Sequence, residues 1–552
     1  MLDGMTARPS GPARVGRRVP ARAAGVAAAA IIVCVVASGC GGSSSKPSAA
    51  NVSGSVVSGP GGTVTIRSID DVDTFNPGKT SAPNLAVQAM YLTYDRLVYL
   101  TPSYKLEPYL ASSWTTTPNS VTFKIRPGAT CDDGTPVTAS VVANSLRYEF
   151  ATSTKGPYLA DVTGPGKLKS VTSAGDTVTV TLTKPYNALV TAFATPFATA
   201  IICPAGVAHP NSLNAAPDGS GPYVLDKSRS VRGSMYVFTL RKGYNWGPGG
   251  WSSTRPGVAT TIIERVVTDE TTAANLFTTG EVDITPVFGI NEPRVAADRS
   301  AYTFTTQSLQ MASWGTVFNQ NAGRPGADPM VRHAAFLALD GPSMNKAAFS
   351  TEGAFFNTMV TPNMQCYNPA VGSSVPGFDP AQARSILEQD GYRPGSGGVM
   401  TKNGKPLTLH IVMWNTTNQL GDLMQAELRN VGIASTVQNT DISTWLTALF
   451  TTKNYDLSVY AYYSSFPNPA IIPDQDTSLS FNDPTYFSLV AAAEEAPPAA
   501  QCGLWDKALE RAGTNYDVKP IGVSKNFWFG RGWKFAAPFV VNFDPFTLEK
   551  TK

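Results

Sequence analysis

Three neighbouring stretches of the chain decide its fold: they read EPYLASSW over Glu107–Trp114, VTFKIRPG over Val121–Gly128 and CDDGTPVTASV over Cys131–Val141. The alternation of apolar and polar residues over 121–125 predicts a strand, and the Pro-Gly and Asp-Asp-Gly sequences that follow are typical of turns. Thr138 stands at a helix N-cap position, ahead of apolar residues at helical spacing. The sequence therefore predicts a strand, a turn and a helix of an α/β protein.

The order and spacing of these stretches resemble the signature of the extracellular solute-binding proteins of family 5. These are oligopeptide- and dipeptide-binding lipoproteins that feed ABC importers, and the resemblance is to their actinobacterial type. It extends from about Gly62 to Lys552, and its further landmarks are DGSGPYVL over Asp218–Leu225, GEVDI over Gly280–Ile284, DPMVRHA over Asp328–Ala334 and FDPAQAR over Phe378–Arg384. The resemblance implies an α/β, two-lobed periplasmic-binding-protein fold of type II, cluster C, with an extra small subdomain.

The resemblance also implies an order of domains along the chain. The chain is expected to cross between the lobes near Gln310–Phe318 and again after about Arg511. The expected segments are a lipoprotein signal peptide (1–40), a flexible tether (41–62), the first part of lobe I (63–98), an inserted small subdomain (99–200), the second part of lobe I (201–314), lobe II (315–512) and a C-terminal return to lobe I (513–552).

The first forty residues predict export and lipidation. Five arginines precede an apolar run over about 23–36, which is shorter than the roughly 20 residues of a membrane-spanning helix but typical of a signal-peptide core. Ala37-Ser38-Gly39-Cys40 resembles a lipobox, although Ala37 stands where Leu is commoner. We expect Cys40 to be the lipidated first residue of the mature chain, anchored at the extracytoplasmic face of the cell membrane. An ordinary secretory signal cleaved nearby is the alternative.

Composition excludes several classes of protein. The chain has 552 residues, of which 42% are hydrophobic and 15% charged, so it can bury the cores of two or more lobes. The leader holds five of the 43 basic and one of the 40 acidic residues, which leaves 38 basic against 39 acidic residues in the mature part. This balance argues against nucleic acid as a partner. The sequence predicts no cofactor.

Cysteine usage predicts disulfides rather than a metal site. Outside the leader, the chain has Cys131, Cys203, Cys366 and Cys502. Four exported cysteines allow three pairings, and an oxidising compartment favours bridges. The lobe order that the resemblance implies favours Cys131–Cys203 and Cys366–Cys502. No pair has the spacing of metal ligands and the three histidines are isolated, so no metal site is predicted.

Lobe II supplies the candidates for ligand contacts. A peptide-like solute enclosed between lobes needs apolar and aromatic walls, backbone hydrogen bonds and few charges. In the resembling family, the segments matching Trp445 and Tyr462 carry aromatic residues of the cleft. For each aromatic residue a half-buried core position is the alternative. The predicted ligand-binding residues are Trp314, Trp414, Asn415, Trp445, Tyr462, Ser465 and Phe466.

One position departs from the family pattern. Relatives that bind free peptides have an Ala-Asp-Tyr run before a Pro, whereas this chain has Ser464-Ser465-Phe466, with Pro469 keeping the spacing. The family's Asp pairs with the α-ammonium of the peptide, and a buried ammonium without a partner is costly. Either another acid substitutes, with Asp456, Asp474 and Asp476 nearest in sequence, or the ligand lacks a free amine at that place.

The resemblance implies an extracytoplasmic substrate-binding lipoprotein of an ABC importer. It would act as a monomer and without enzymatic activity, capturing a peptide or peptide-like solute in a cleft between lobes and delivering it to the membrane permease. A cell-surface interaction or chaperone-like lipoprotein with the same fold is the alternative from another class. Ser343-Met344-Asn345-Lys346 also fits the Ser-x-x-Lys pattern of serine acyl enzymes. A hydrolase using Ser343 and Lys346 is a weaker third hypothesis, since no Lys-Thr-Gly partner is present and helix capping after Asp340 explains the serine.

Overall fold

The structure is a computed structural model. Asn415, Ser465, Phe466 and Asp474 lie outside the residues it describes, as do the predicted signal peptide with Cys40 and most of the predicted tether. All described residues belong to one unit of the chain. They are residues 54–80, 85–154, 156, 158–164, 166–289, 291–309, 312–349, 353–414, 418–462, 468–470, 472–473, 476, 479–538 and 542–552.

The strands are numbered in chain order. They are β1 Gly62–Ser68, β2 Val98–Leu100, β3 Leu106–Pro108, β4 Ala111–Thr117, β5 Ser120–Ile125, β6 Leu168–Ala174, β7 Thr177–Leu182, β8 Tyr223–Leu225, β9 Met235–Leu240, β10 Ala259–Val266, β11 Ile284–Val287, β12 Phe304–Leu309, β13 Trp314–Phe318, β14 Gly353–Ala354, β15 Arg393–Pro394, β16 Met400–Lys402, β17 Lys405–Pro406, β18 Thr408–Trp414, β19 Ala434–Thr440, β20 Leu457–Ala461, β21 Val518–Gly530, β22 Trp533–Lys534 and β23 Glu549–Lys550.

The helices are named by their bounds. None of those described is both long and apolar enough to cross a membrane. They are Leu85–Thr93, Ala139–Glu149, Leu159–Thr163, Leu189–Ala192, Pro204–Ala208, Glu270–Thr279, Asn291–Ala297, Pro329–Ala338, Gly341–Phe349, Pro369–Ser374, Pro380–Gln389, Asn418–Asn430, Ile442–Leu446, Pro484–Glu495 and Pro498–Thr514.

Strand β21 joins the two lobes. Its first residues pair antiparallel with β13 of lobe II, where Val518 lies opposite Val317. Its last residues pair with β11 and β12 of lobe I, where Gly530 lies opposite both Ile284 and Phe304. The resulting sheet has the order β19-β18-β20-β13-β21-β11-β1-β10-β9-β8, with β12 and β14 also pairing with β21. Along the chain, β12 and β13 are consecutive strands, and both pair with β21. The predicted positions of the lobe crossings stay predictions.

A bulge interrupts β21 beside the crossing. Trp314 pairs with Gly522 whereas Gly315 pairs with Pro520, so the register shifts at this point. Gly522 has a φ of +83°, and a Cβ atom there would overlap the carbonyl oxygen of Ala354. The left-handed backbone and the close approach both require glycine.

The stretches over residues 107–141 contribute to a small separate sheet and to the helix that follows it. Strands β4 to β7 are antiparallel in the order β4-β5-β7-β6, and the three apolar residues predicted to alternate in β5 are all buried. Thr138 caps the helix Ala139–Glu149, because its side chain accepts a hydrogen bond from the Val141 amide (3.3 Å). The predicted order of strand, turn and helix is therefore confirmed.

The end of the segment predicted as a tether is packed against the rest of the chain. Val56 forms a bridge with Thr551, and the amide of Gly61 donates to the carbonyl of Val258 (2.8 Å). The packed part of the chain therefore begins before the boundary predicted at Gly62.

Both favoured disulfide pairings occur. Cys131 and Cys203 have Cα atoms 6.1 Å apart and lie 72 residues apart in sequence. Cys366 and Cys502 have Cα atoms 4.8 Å apart and lie 136 residues apart. Both Cα separations fall in the range of natural disulfides. One bridge joins the loop before the helix Ala139–Glu149 to the start of the helix Pro204–Ala208, and the other lies within lobe II.

We expect reduction of the two disulfides to lower the free energy of unfolding. Loops of this length correspond to about 4 to 5 kcal/mol for each bridge in the chain-entropy treatment of the unfolded state. Thermal melts of the mature protein with and without dithiothreitol measure the loss, and Cys131→Ser/Cys203→Ser and Cys366→Ser/Cys502→Ser variants separate the bridges. Free-thiol titration of the denatured, unreduced protein that finds all four cysteines reactive would contradict the pairing.

Candidate functional site

The candidate ligand site lies at the edge of the lobe II sheet beside the crossing. Strands β18 and β20 are parallel, and they end at Trp414 and Ala461. Trp314 begins β13 opposite Ala461 and also pairs with Gly522 of the crossing strand. Ligands of open α/β sheets bind outside the carboxyl ends of the parallel strands. The two carboxyl ends and the passage to lobe I therefore meet at one place.

Three of the predicted ligand-binding residues line one pocket at this edge. Trp314, Trp414 and Trp445 enclose a volume of about 210 Å³ together with four other residues, which are Leu446, Val459, Tyr460 and Ala461. None of these described lining residues carries a charge. The pocket therefore offers mostly aromatic and aliphatic surface to a ligand.

The ring planes in the pocket are nearly parallel. The centroids of Trp414 and Trp445 lie 6.2 Å apart with an interplanar angle of 25°, and those of Trp445 and Tyr460 lie 5.8 Å apart at 24°. These separations are in the range of favourable aromatic pairs. The Trp445 indole N–H donates to the Ser458 hydroxyl (3.1 Å), which donates to the Val412 carbonyl oxygen (2.5 Å). The polar atom of this buried ring is therefore already satisfied within lobe II.

Local capping places Trp445 in the pocket. The helix Ile442–Leu446 follows Asp441, whose carboxylate accepts from the amide and the hydroxyl of Thr444 (3.0 and 2.7 Å). The amide of Trp445 donates to the Asp441 carbonyl oxygen (2.9 Å). The first turn of the helix is thus fixed, and its tryptophan packs onto the end of the sheet.

Tyr462 packs behind the pocket wall. Its ring meets Tyr460 edge-on at 5.1 Å, and its hydroxyl donates to one oxygen of Asp476 (2.6 Å). The hydroxyl of Tyr486 donates to the other oxygen (2.6 Å). Burial raises the pKa of Asp476 to about 7, although the two hydroxyl donors oppose that rise. Tyr462 therefore supports the end of β20 through a buried carboxyl group.

Two acids considered as partners for a ligand ammonium have protein partners instead. Asp456 lies 3.3 Å from Arg324 and accepts from the backbone amide of His410 (2.8 Å). Asp476 accepts from two tyrosines. Within the described residues, neither carboxylate is left for a ligand.

Buried charges also hold the start of the crossing strand. Asp517 accepts from the amides of Gln320 (3.0 Å) and Asn515 (2.9 Å) and lies 3.3 Å from Arg332. Desolvation by burial raises its pKa to about 7. The ammonium of Lys519 donates to a backbone carbonyl (2.9 Å), and burial lowers its pKa to about 8. This part of β21 is fixed by polar partners from several elements.

Ser343 has a local structural role. Its hydroxyl and its amide both donate to the carboxylate of Asp340, which precedes the helix Gly341–Phe349. Lys346 is exposed to solvent. This arrangement is helix capping, and it does not support a lysine-activated serine.

A larger pocket of about 470 Å³ lies elsewhere, and its lining residues come only from outside lobe II. Two of its basic residues, Arg255 and Lys534, pair with Glu549 (3.1 and 2.9 Å). We do not assign the solute site there, because the carboxyl edge of the parallel strands and the crossing contribute nothing to it.

The sequence did not identify Tyr460, Leu446, Val459 and Ala461 as pocket residues. Alternation along a strand would have placed Tyr460 on the same face as Tyr462. The neighbours that decide which side chains meet the pocket come from β13 and β18, which are distant in sequence.

Comparison with known proteins identifies the family to which the chain belongs. Residues 105–481 match the model of the bacterial extracellular solute-binding proteins, family 5 Middle. The chain is 26% identical over 337 residues to the glutathione-binding protein GsiB of Escherichia coli strain K12, and this match covers 60% of this chain and 62% of GsiB. The chain thus spans about three fifths of the length of the curated relatives it matches.

Solved structures agree on the fold. One is a substrate-binding protein from Microbacterium hydrocarbonoxydans complexed with 4-hydroxybenzoate hydrazide, with a TM-score of 0.67, 24% identity, and coverage of 89% of this chain and 100% of that one. Another is the oligopeptide-binding protein AppA from Bacillus subtilis in complex with a nonapeptide, with a TM-score of 0.70, 17% identity, and coverage of 90% and 100%. Both support the predicted two-lobed α/β fold.

We expect Asp476→Asn to flatten the pH dependence of stability. The folded pKa of about 7 lies above the ordinary value of 3.8, so the stabilisation is complete below about pH 4 and is lost as the pH rises through 7. One such group lowers the free energy of unfolding by up to about 1.4 kcal/mol per pH unit in this window. Asparagine does not titrate, and its amide offers both an acceptor and a donor to the tyrosines.

Thermal unfolding followed by circular dichroism between pH 4 and 8 measures this effect. Asp422→Asn is the matched control, because Asp422 is exposed on the helix Asn418–Asn430. Wild-type and Asp476→Asn curves that run parallel over the whole window would contradict the assignment.

Proposed function

The chain belongs to the bacterial extracellular solute-binding proteins of family 5, and from this premise we propose that it is the extracytoplasmic substrate-binding lipoprotein of an ABC importer. It captures a peptide or peptide-like solute between its lobes and delivers it to the membrane permease. The observation that carries the proposal is the uncharged aromatic pocket at the carboxyl edge of lobe II, next to the two crossings. GsiB is named for glutathione binding and the AppA structure holds a nonapeptide, which is why we propose a solute of this kind.

The mechanism we propose is closure of the lobes about the two crossings. Hinge closure in two-lobed proteins depends on a few residues where the chain passes between lobes. Here these are the link between β12 and β13 and the bulge at Gly522 of β21. At the outer edge, the side-chain amide of Asn187 donates to the carbonyl oxygen of Ala493 in lobe II (2.7 Å). This bond is one direct contact between the predicted small subdomain and lobe II.

The tryptophan pocket supports solute binding over the two other candidate functions. A surface-interaction lipoprotein has no need of an enclosed small-molecule pocket, and a hydrolase would need Ser343 to be free of its capping role. Native mass spectrometry of the gently purified mature protein tests the proposal, because a binding protein retains a small-molecule adduct. Absence of any adduct, together with no response to a broad panel of peptides and small solutes, would contradict it.

We expect Trp414→Ala to weaken retention of the co-purified solute while changing the ligand-free melting temperature little. Trp414 is half-buried at the end of β18, and loss of one large apolar contact is worth about 1.5 to 3 kcal/mol. The measurements are the adduct fraction by native mass spectrometry and tryptophan fluorescence on rebinding. Trp114→Ala is the matched control, because Trp114 is half-buried on β4 of the small subdomain. A melting temperature that falls far more for Trp414→Ala would identify Trp414 as a core residue.

A lipid anchor completes the proposal. The motif Ala37-Ser38-Gly39-Cys40 supports it, and we expect Cys40→Ala to release the protein from the membrane into the medium or the soluble fraction. Fractionation of expressing cells followed by a carbonate wash is the measurement. A Cys40→Ala protein that stays with the membrane after the wash would show that the lipobox assignment is wrong.

A further inference from the structure

The tryptophan pocket has the size of a single ring. Its volume is about 210 Å³, and an apolar protein cavity of about 150 Å³ holds one benzene molecule. A fully extended peptide or a large hydrophobic group does not fit this volume. The pocket therefore suits one six-membered ring with a small substituent.

The geometry of the walls favours a flat guest. The planes of Trp414, Trp445 and Tyr460 lie within 25° of each neighbour, so these three of the four rings present nearly parallel faces. A planar ring of the solute can stack against these faces at the centroid separations that aromatic pairs prefer. A quaternary ammonium is instead recognised by a cage whose ring faces surround the cation, and these three rings do not surround a point.

The chemistry of the walls excludes an ammonium group at this place. None of the described lining residues is charged, and the indole N–H of Trp445 is committed to Ser458. Asp441 caps a helix, and Asp456 and Asp476 have partners of their own. A buried ammonium that finds no carboxylate costs several kcal/mol. Among the described residues, the pocket therefore offers no partner to an ammonium group of the solute.

We infer that the solute carries an uncharged aromatic ring, which occupies the pocket formed by Trp314, Trp414, Trp445 and Tyr460, with no ammonium group beside the ring. This inference rests on the proposed function and names the class of solute. Ring-bearing amides, acyl hydrazides and amine-blocked aromatic peptides belong to that class. Simple free-amine peptides that place their ammonium at this pocket do not belong to it.

Identification of the co-purified solute is the first test. The solute is released by denaturation from the mature wild-type protein and characterised by liquid chromatography and mass spectrometry with ultraviolet detection. A solute with an aromatic ring and no neighbouring amine is the expected result. A solute without a ring would overturn the inference while leaving the proposed binding function intact.

Direct titration with small probes is the second test, and it does not depend on a retained solute. We expect 3-phenylpropanamide to bind, 3-cyclohexylpropanamide to bind about threefold to tenfold more weakly because it cannot stack, and 3-phenylpropylammonium to bind more than about tenfold more weakly because its charge has no partner. Trp414→Ala should weaken the binding of 3-phenylpropanamide about tenfold. The control Trp114→Ala should leave it unchanged.

Three results would overturn the inference. Binding of choline or of 3-phenylpropylammonium as tight as that of the neutral amide would show that the pocket accepts a cation. Loss of such binding in Asp474→Asn would assign the cation's partner to that acid. Failure of 3-phenylpropanamide to bind, while a peptide does bind, would place the solute elsewhere in the cleft and would leave the proposed function standing.

Discussion

One strand that pairs with strands of both lobes is the constraint on which the structure depends. The first part of β21 pairs with β13 of lobe II, and its last part pairs with β11 and β12 of lobe I. A strand in a ladder cannot slip by one residue without moving its side chains to the opposite face, so the register of one lobe is tied to that of the other. Because Trp314 pairs with Gly522 of this strand, the tryptophan pocket is built on the same ladder. In the proposed closure mechanism, movement about this strand would therefore act on a wall of the pocket.

Buried charge at the start of β21 is compatible with this arrangement because both ionisable groups have polar partners. Asp517 and Lys519 are both nearly inaccessible to water, and burial shifts their pKa values toward neutrality. Burial of ionisable groups costs free energy unless hydrogen bonds and opposite charges offset it. Here the partners come from Gln320 after β13, from Asn515 in the turn before the strand and from the helix Pro329–Ala338. These polar contacts fix the orientation of the strand where its ladder begins. Apolar packing is less directional than hydrogen bonds and would fix this orientation less well.

The sequence predicted what local chemistry decides and missed what distant partners decide. Thr138 caps its helix as expected, because a cap depends on the next three residues. The role of Tyr462 depends on Asp476, fourteen residues further along, and no periodicity shows that a buried carboxyl group lies behind the strand. Likewise, the Gly- and Ser-rich composition before Gly62 indicated a tether, but Val56 pairs with Thr551 at the other end of the chain. The pocket tryptophans were predicted from the aromatic chemistry of such a cleft and from the family resemblance, whereas their mutual stacking required the sheet order.

Several polar side-chain atoms near the lobe II pocket are already paired within that lobe. The indole N–H of Trp445, the hydroxyl of Tyr462 and the carboxylates of Asp456 and Asp476 are all paired within lobe II. The pocket of this lobe therefore offers mainly apolar surface to a solute. Apolar contacts are non-directional, so they tolerate related rings. In the proposed binding function, the hydrogen bonds to the polar part of a solute would then come mainly from elements other than these described side chains of lobe II. Such a division would couple affinity to closure, because a ligand stabilises the conformation to which it binds better.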